Sequence, residues 1–300
     1  MMLTCAIPAG TQFTTAEFSF WFPASVPVLR GTLVLMPGFN GDARKSVADE
    51  AWQDLARRHG LGVLGVHFVS TKTDDKRAAY SSAHEGSGQA LLAALAIFAK
   101  QSNHPEVETA PLVMWGHSAG GQFNYEFTCW KPERVAAFVV NKGGYYSTHL
   151  APRPAQLVPG IFFIGENDER WRAQSLLGIY VCNRKSEAMW AMAVEPGVGH
   201  GIGQTRALAM RFFDSVLPLR LVPAEQTKSG AQLVALALGS HWRGSLANAD
   251  IWSADDAGKP GARPDADATT WLPDEQMATA WATFVRGVGG SKNTTKPEGE

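Results

Sequence analysis

The sequence predicts an α/β fold in which a mostly parallel central sheet is flanked by helices on both sides. Three observations predict it. Short, continuous apolar runs alternate with longer stretches of helical periodicity, the pattern of strands buried on both faces and joined by crossover helices. The later runs end in loops that carry Gly and acidic residues. One run, Leu112–Trp115, passes directly into Gly116-His117-Ser118-Ala119-Gly120 and then into a segment able to form a helix.

Taken in order, 11–22 alternates apolar residues (Phe13, Phe18, Phe20, Phe22) and predicts a half-buried antiparallel strand at a sheet edge. From there strand and helix alternate: a strand over Gly31–Met36, an amphipathic helix over Ser46–His59, a strand over Leu61–Phe68 and an apolar helix over Gln89–Lys100. After Leu112–Trp115 and the helix Gln122–Trp130 come strands over Val135–Val140, Ile161–Ile164 and Met189–Val194, then an amphipathic helix over Thr205–Leu217. Past Leu221 the pattern weakens. Val234–Leu238 is compatible with a strand, 245–270 is rich in Ala, Asp, Gly and Pro, and Asp274–Val285 behind Pro273 predicts a short helix. Residues 1–221 are therefore expected to form the main domain and 222–300 an appendage packed on it, ending in a frayed polar tail.

The totals suit a globular chain of 300 residues, with 45% hydrophobic residues, 18% charged and a formal net charge of −1. The one basic patch, Lys72–Arg77, is interrupted by Asp74 and Asp75, which disfavours nucleic acid and anionic membranes as partners. No apolar stretch reaches the ~18 residues of a membrane span. Residues 1–10 show no secretory signal, so the chain is expected in the cytoplasm or as the trimmed form of a secreted protein. Cys5, Cys129 and Cys182 form no Cys-x-x-Cys pair; one bridge among them stays open, and Cys129 reads as a buried free thiol.

The pentapeptide is the sharpest chemical signal. With glycine at 30 of 300 residues, composition alone would produce Gly-x-Ser-x-Gly in roughly one such chain in six, so context has to decide. A strand, a sharp turn and a helix would lift the hydroxyl of Ser118 clear of the sheet, with glycine two residues before and after it where a β-carbon has no room. The backbone N–H of Ala119 would then face a developing oxyanion. Two further parts follow in the order Ser, acid, His expected of strand ends in such a sheet. Ile161–Ile164 runs into Gly165-Glu-Asn-Asp168, and Met189–Val194 runs into Glu195-Pro-Gly-Val-Gly-His200. Asp168 is preferred to Glu166 and Glu169 for its place in the loop and its shorter side chain. His200 is preferred to His149, which precedes the acid strand, and to His241, which falls in the appendage. His117 adjoins Ser118 and cannot fold back to take its proton, so it is expected to position its neighbours. The turn Pro37-Gly38-Phe39-Asn40-Gly41-Asp42 would supply a second oxyanion donor, the Phe39 N–H.

With these motifs the chain resembles the α/β-hydrolase-fold serine esterases, over Gly31 to about Leu217. The Pro-Gly-aromatic turn and compact spacing are similar to lid-poor esterases, a group that includes polyester hydrolases, feruloyl esterases and polyhydroxyalkanoate depolymerase-like proteins. The resemblance implies hydrolysis of a small or polymeric carboxylic ester through Ser118, His200 and Asp168, without metal or cofactor. Only about 20 residues, 141–160, join the strands between which such enzymes insert a cap domain, so no cap is expected, and an open site unless the C-terminal appendage folds over it, lined by Tyr145, Tyr146, Trp171 and Phe39. Acyl transfer or carbon–carbon bond hydrolysis could run on the same triad. A non-catalytic binding protein on this scaffold would have lost part of the machinery, and here every part is present.

Overall fold

The computed structural model describes residues 2–71, 78–223, 233–236, 241–254 and 268–287. The patch 72–77 and the tail after 287 lie outside them. An eight-stranded sheet runs in the order β1-β2-β4-β3-β5-β6-β7-β8. Six of its strands are parallel: β3 (Gly31–Met36), β4 (Leu61–Ser70), β5 (Leu112–Gly116), β6 (Val135–Asn141), β7 (Gly160–Gly165) and β8 (Trp190–Glu195). The alternating N-terminal segment forms β2 (Phe13–Trp21), antiparallel to β4 as expected, but it is not the edge. β1 (Met2–Ala6), which no pattern in the sequence signals, pairs outside it; its residues are half-buried or exposed, so it carries no apolar run.

The twofold repeat of the strands sorts side chains into two cores. Val34, Met114, Phe138, Phe162 and Trp190 join the core under α2 (Ser87–Ser102), α3 (Ala119–Trp130) and α5 (Arg170–Arg184). Leu35, Val113, Val139, Ile161 and Ala191 face the core under α1 (Glu50–His59) and α6 (Thr205–Arg220). The helix expected over Ser46–His59 is two pieces. A 3-10 turn covers Arg44–Ala48, and Asp49, extended at φ −68° and ψ 124°, caps α1 by accepting from Trp52 N–H. Helix α5 escapes the sequence reading because its buried stripe (Leu176, Ile179, Tyr180) continues into Asn183 and Arg184. Between β6 and β7 the only α-helix is the single turn α4 (Arg153–Gln156), so no cap domain is inserted there.

Beyond α6, residues 234–236 form no strand, while 237 and 238 lie outside the described residues. Instead β9 (Trp242–Ser245), β10 (Ile251–Ser253) and β11 (Thr269–Leu272) make a small antiparallel sheet in the order β10-β9-β11, followed by α7 (Glu275–Val285) with Asp274 as its cap. Trp271, Leu272, Met277 and Trp281 are buried in the second core. This unit also covers the outer edge of the large sheet at Met192. Met192 of β8 donates its N–H to Thr270 Oγ1 (2.8 Å) and accepts at its carbonyl from Trp281 Nε1 (2.7 Å). All three cysteines are free. No described helix is long and apolar enough to cross a membrane.

Candidate active site

Strand β5 and helix α3 meet at Ser118, which sits at φ 54° and ψ −120°, a strained conformation for any residue with a β-carbon. The flanking glycines are needed for close approach rather than for φ. A β-carbon on Gly116 would stand 2.3 Å from the Gly120 carbonyl oxygen; one on Gly120 would stand 2.4 Å from the Met36 oxygen and 2.5 Å from that of Pro37. The turn is pinned by Ser118 N–H donating to Asn141 O (2.7 Å) and by Gly120 N–H donating to His117 O (2.8 Å).

The loops after β7 and β8 interlock in front of this turn. Asn167 N–H donates to Val198 O, Gly197 N–H donates to the Glu166 carboxylate, and Gly165 packs so closely on Gly199 that a β-carbon would lie 2.3 Å from its carbonyl oxygen. The result is a linear chain of three side chains. His200 Nε2 lies 2.9 Å from Ser118 Oγ, and His200 Nδ1 lies 2.9 Å from Asp168 Oδ2. The Asp168 side chain is only 3% exposed; its other oxygen accepts from Glu169 N–H (2.8 Å) and stands 3.9 Å from Arg172 Nε. Glu169 itself pairs with Arg172. His149 is an exposed loop residue and His241 lies against Trp271.

Two backbone amides accompany the chain. Ala119 is the first residue of α3, and its N–H, like that of Phe39, takes no acceptor among the described residues. In the turn after β3, the Gly38 carbonyl accepts from Gly41 N–H (2.9 Å) and faces the Tyr80 hydroxyl (3.4 Å). A trans peptide directs its N–H opposite to its C=O, which puts the Phe39 N–H on the other side of the turn. Tyr80 also accepts from Asn40 N–H (3.1 Å), while Asn40, left-handed at φ 53°, accepts from Ser70 N–H. Burial pushes the Tyr80 phenol up to about 12, so it stays neutral and can donate and accept at once. The Phe39 ring is exposed.

The residues expected to line the site divide. Tyr145 and Trp171 are half-buried with ring centroids 4.7 Å apart, and the Arg172 guanidinium lies over the indole at 4.4 Å. Tyr146 turns its hydroxyl inward: it is buried with no hydrogen-bond partner among the described residues, sits where a β-carbon on Gly143 would be, and packs with its ring edge-on to Tyr125. His117, with its ring 5.1 Å from that of His200, has its pKa lowered to about 4 by burial and by the neighbouring His200 and Lys142, so it is neutral near pH 7.

Nothing in the sequence singles out the pair that braces the histidine loop. Lys142 follows β6 at φ 55° with its side chain fully buried; its Nζ donates to Glu195 Oε2 (2.7 Å) and to the Gly201 carbonyl. Glu195 Oε1 accepts in turn from Gln204 N–H. The two residues are 53 apart in the chain, and each alone reads as an ordinary surface charge at a strand end. Removing one partner leaves an uncompensated buried charge, so Lys142→Met is expected to lose about 3–5 kcal/mol of unfolding free energy in a denaturant titration. The double variant Lys142→Met/Glu195→Met should recover most of that loss. Equal destabilisation by the single and double variants would show that the pair is not what the loop rests on.

No protein-family model matches this sequence, and no curated protein matches it. Among solved structures, the chain is similar to FphF, a fluorophosphonate-binding serine hydrolase of Staphylococcus aureus, with a TM-score of 0.50 and 12% identity over 72% of this chain and 98% of that one. It is similar also to a thermostable esterase, with a TM-score of 0.50 and 14% identity over 65% of this chain and 54% of that one, so it spans about half that protein's length. At these identities the likeness is one of backbone.

Proposed function

We propose that this chain, which has the α/β-hydrolase fold, is a serine hydrolase of the carboxylesterase type. The observation that carries the reading is the pair of 2.9 Å contacts at His200, one to Ser118 Oγ and one to Asp168 Oδ2. Such a chain makes a serine nucleophilic only when the imidazole is held in one tautomer between an acid and a hydroxyl. Ser118 Oγ attacks the ester carbonyl carbon as its proton passes to His200 Nε2. The carbonyl oxygen becomes an oxyanion held by the Phe39 and Ala119 N–H groups, each such donor contributing about 3 kcal/mol to the transition state. Collapse breaks the bond to the alkoxy oxygen, which takes the proton from His200 and leaves as the alcohol. Water then adds to the acyl-serine with His200 as base, and Ser118 recovers its proton as the acid departs. Asp168 keeps Nδ1 protonated throughout. The short β6–β7 connection leaves the front of the site uncapped on that side, which suits bulky or polymeric esters.

The test combines turnover with active-site labelling. Hydrolysis of p-nitrophenyl esters from acetate to decanoate is expected. So is a covalent adduct with an alkyl fluorophosphonate, fluoride leaving as Ser118 Oγ bonds to phosphorus, with peptide mass mapping placing it on Ser118. Absence of both turnover and adduct would sink the reading.

A further inference from the structure

Beside the nucleophile lies a cavity of about 250 Å³ that the mechanism above does not use. Gly38 and His117 line it on the side of Ser118. A β-carbon on Gly38 would stand 3.7 Å from the Ser118 β-carbon, so the cavity begins within one side chain of the reacting atom. Its apolar lining comes from Met36, Trp52 and Trp115, the two indoles lying 5.5 Å apart. Tyr145, Tyr146 and Trp171 do not line it.

The charged groups at this cavity are already neutralised. Arg206 makes two hydrogen bonds to Asp49 and lies 4.6 Å over the Trp52 ring; Asp42 pairs with Arg44. An ionic group would therefore find no unpaired countercharge to offset its desolvation, whereas an uncharged apolar group would meet the indoles. Size narrows the class further. An apolar cavity of about 150 Å³ takes a benzene molecule, so this one fits a single ring with its linking carbon. The histidine loop adds Ile202, which lines the cavity and is 45% exposed, an apolar side chain only partly covered two residues from His200. Its position also identifies the arm of the substrate. The leaving oxygen must come within hydrogen-bond reach of His200 Nε2 to collect its proton, so the group bonded to that oxygen lies against the loop that carries His200.

We propose that this cavity is the alcohol-side specificity pocket, taking an uncharged, benzyl-sized apolar alcohol arm of the ester. The inference rests on the esterase reading, and one set of substrates separates the two. Ethyl acetate and benzyl acetate differ only in the alcohol; ethyl acetate and ethyl phenylacetate differ only in the acyl group. The unsubstituted protein is expected to prefer benzyl over ethyl acetate by about 10- to 100-fold in kcat/KM. Ser46→Phe, which puts a ring into the cavity from its wall, should reduce that ratio to within about threefold of unity, and Ile202→Ser, a change at an exposed position, should lower it by about threefold. The ratio of ethyl phenylacetate to ethyl acetate should stay as it was. A benzyl preference that survives both substitutions, or a change confined to the phenylacetate ratio, would overturn the assignment. If the unsubstituted protein turns over none of the three esters, the esterase reading fails instead.

Discussion

Ser118→Ala is expected to lower kcat on p-nitrophenyl acetate by about 10⁶-fold, the loss typical of removing the nucleophile from a triad. The structure explains why little else should change. The strained turn is held by backbone bonds, Ser118 N–H to Asn141 O and Gly120 N–H to His117 O, and alanine keeps both. The side chain gives up one hydrogen bond, to His200, a loss of about 1 kcal/mol. The Phe39 and Ala119 amides stay in place, so a residual rate above that in water should persist. Turnover and denaturant unfolding measured on the same preparation check both halves. A loss below about tenfold with the fold intact would move the nucleophile elsewhere.

Asp168→Asn is expected to cost about 10⁴-fold in kcat with only a small change in substrate affinity. Which oxygen faces the histidine makes the argument specific. Asp168 Oδ1 accepts from Glu169 N–H, and Oδ2 faces His200 Nδ1. In the asparagine variant the amide oxygen keeps the first bond, which turns the NH₂ toward His200. Imidazole must then accept at Nδ1 and carry its proton on Nε2, the nitrogen that takes the proton of Ser118 in the proposed mechanism. The fault is thus one of tautomer, visible in the ring ¹⁵N shifts of His200 as well as in the rate. An Nδ1-protonated ring in an inactive variant would show that Asp168 acts in some other way.

How much of this could be read from the sequence depends on how local the signal is. The turn at Ser118 is encoded within ten residues, because a strand, two tight approaches and a helix start follow one another. Asp168 and His200 are 32 apart in the chain, yet each sits just past an apolar run, and a parallel sheet brings the ends of such runs to one edge. Lys142 and Glu195 also sit at strand ends. Only the packing of the loops turns them inward, and no pattern of residue types distinguishes them from solvated charges. The cavity is less legible still, since Met36, Trp52, Trp115, Ile202 and Arg206 come from separate elements whose faces are set by tertiary contacts. β1 and the small C-terminal sheet are short strands without a continuous apolar run, stabilised by their partners rather than by intrinsic propensity. Helix α5 was hidden by polar residues that its neighbours bury.

The C-terminal unit has a consequence for how the chain can be cut. Because Thr270 and Trp281 occupy the outward N–H and C=O of Met192, residues past 222 act as the missing neighbour of the last strand. A shortened protein would present that strand bare at Met192, three residues from Glu195 at the strand's end and next to the loop of His200. An exposed parallel edge is an invitation to a second molecule. The boundary suggested by composition at residue 221 is therefore no safe point of truncation: a chain ended there would trade an edge covered within one molecule for one that seeks its neighbour from another.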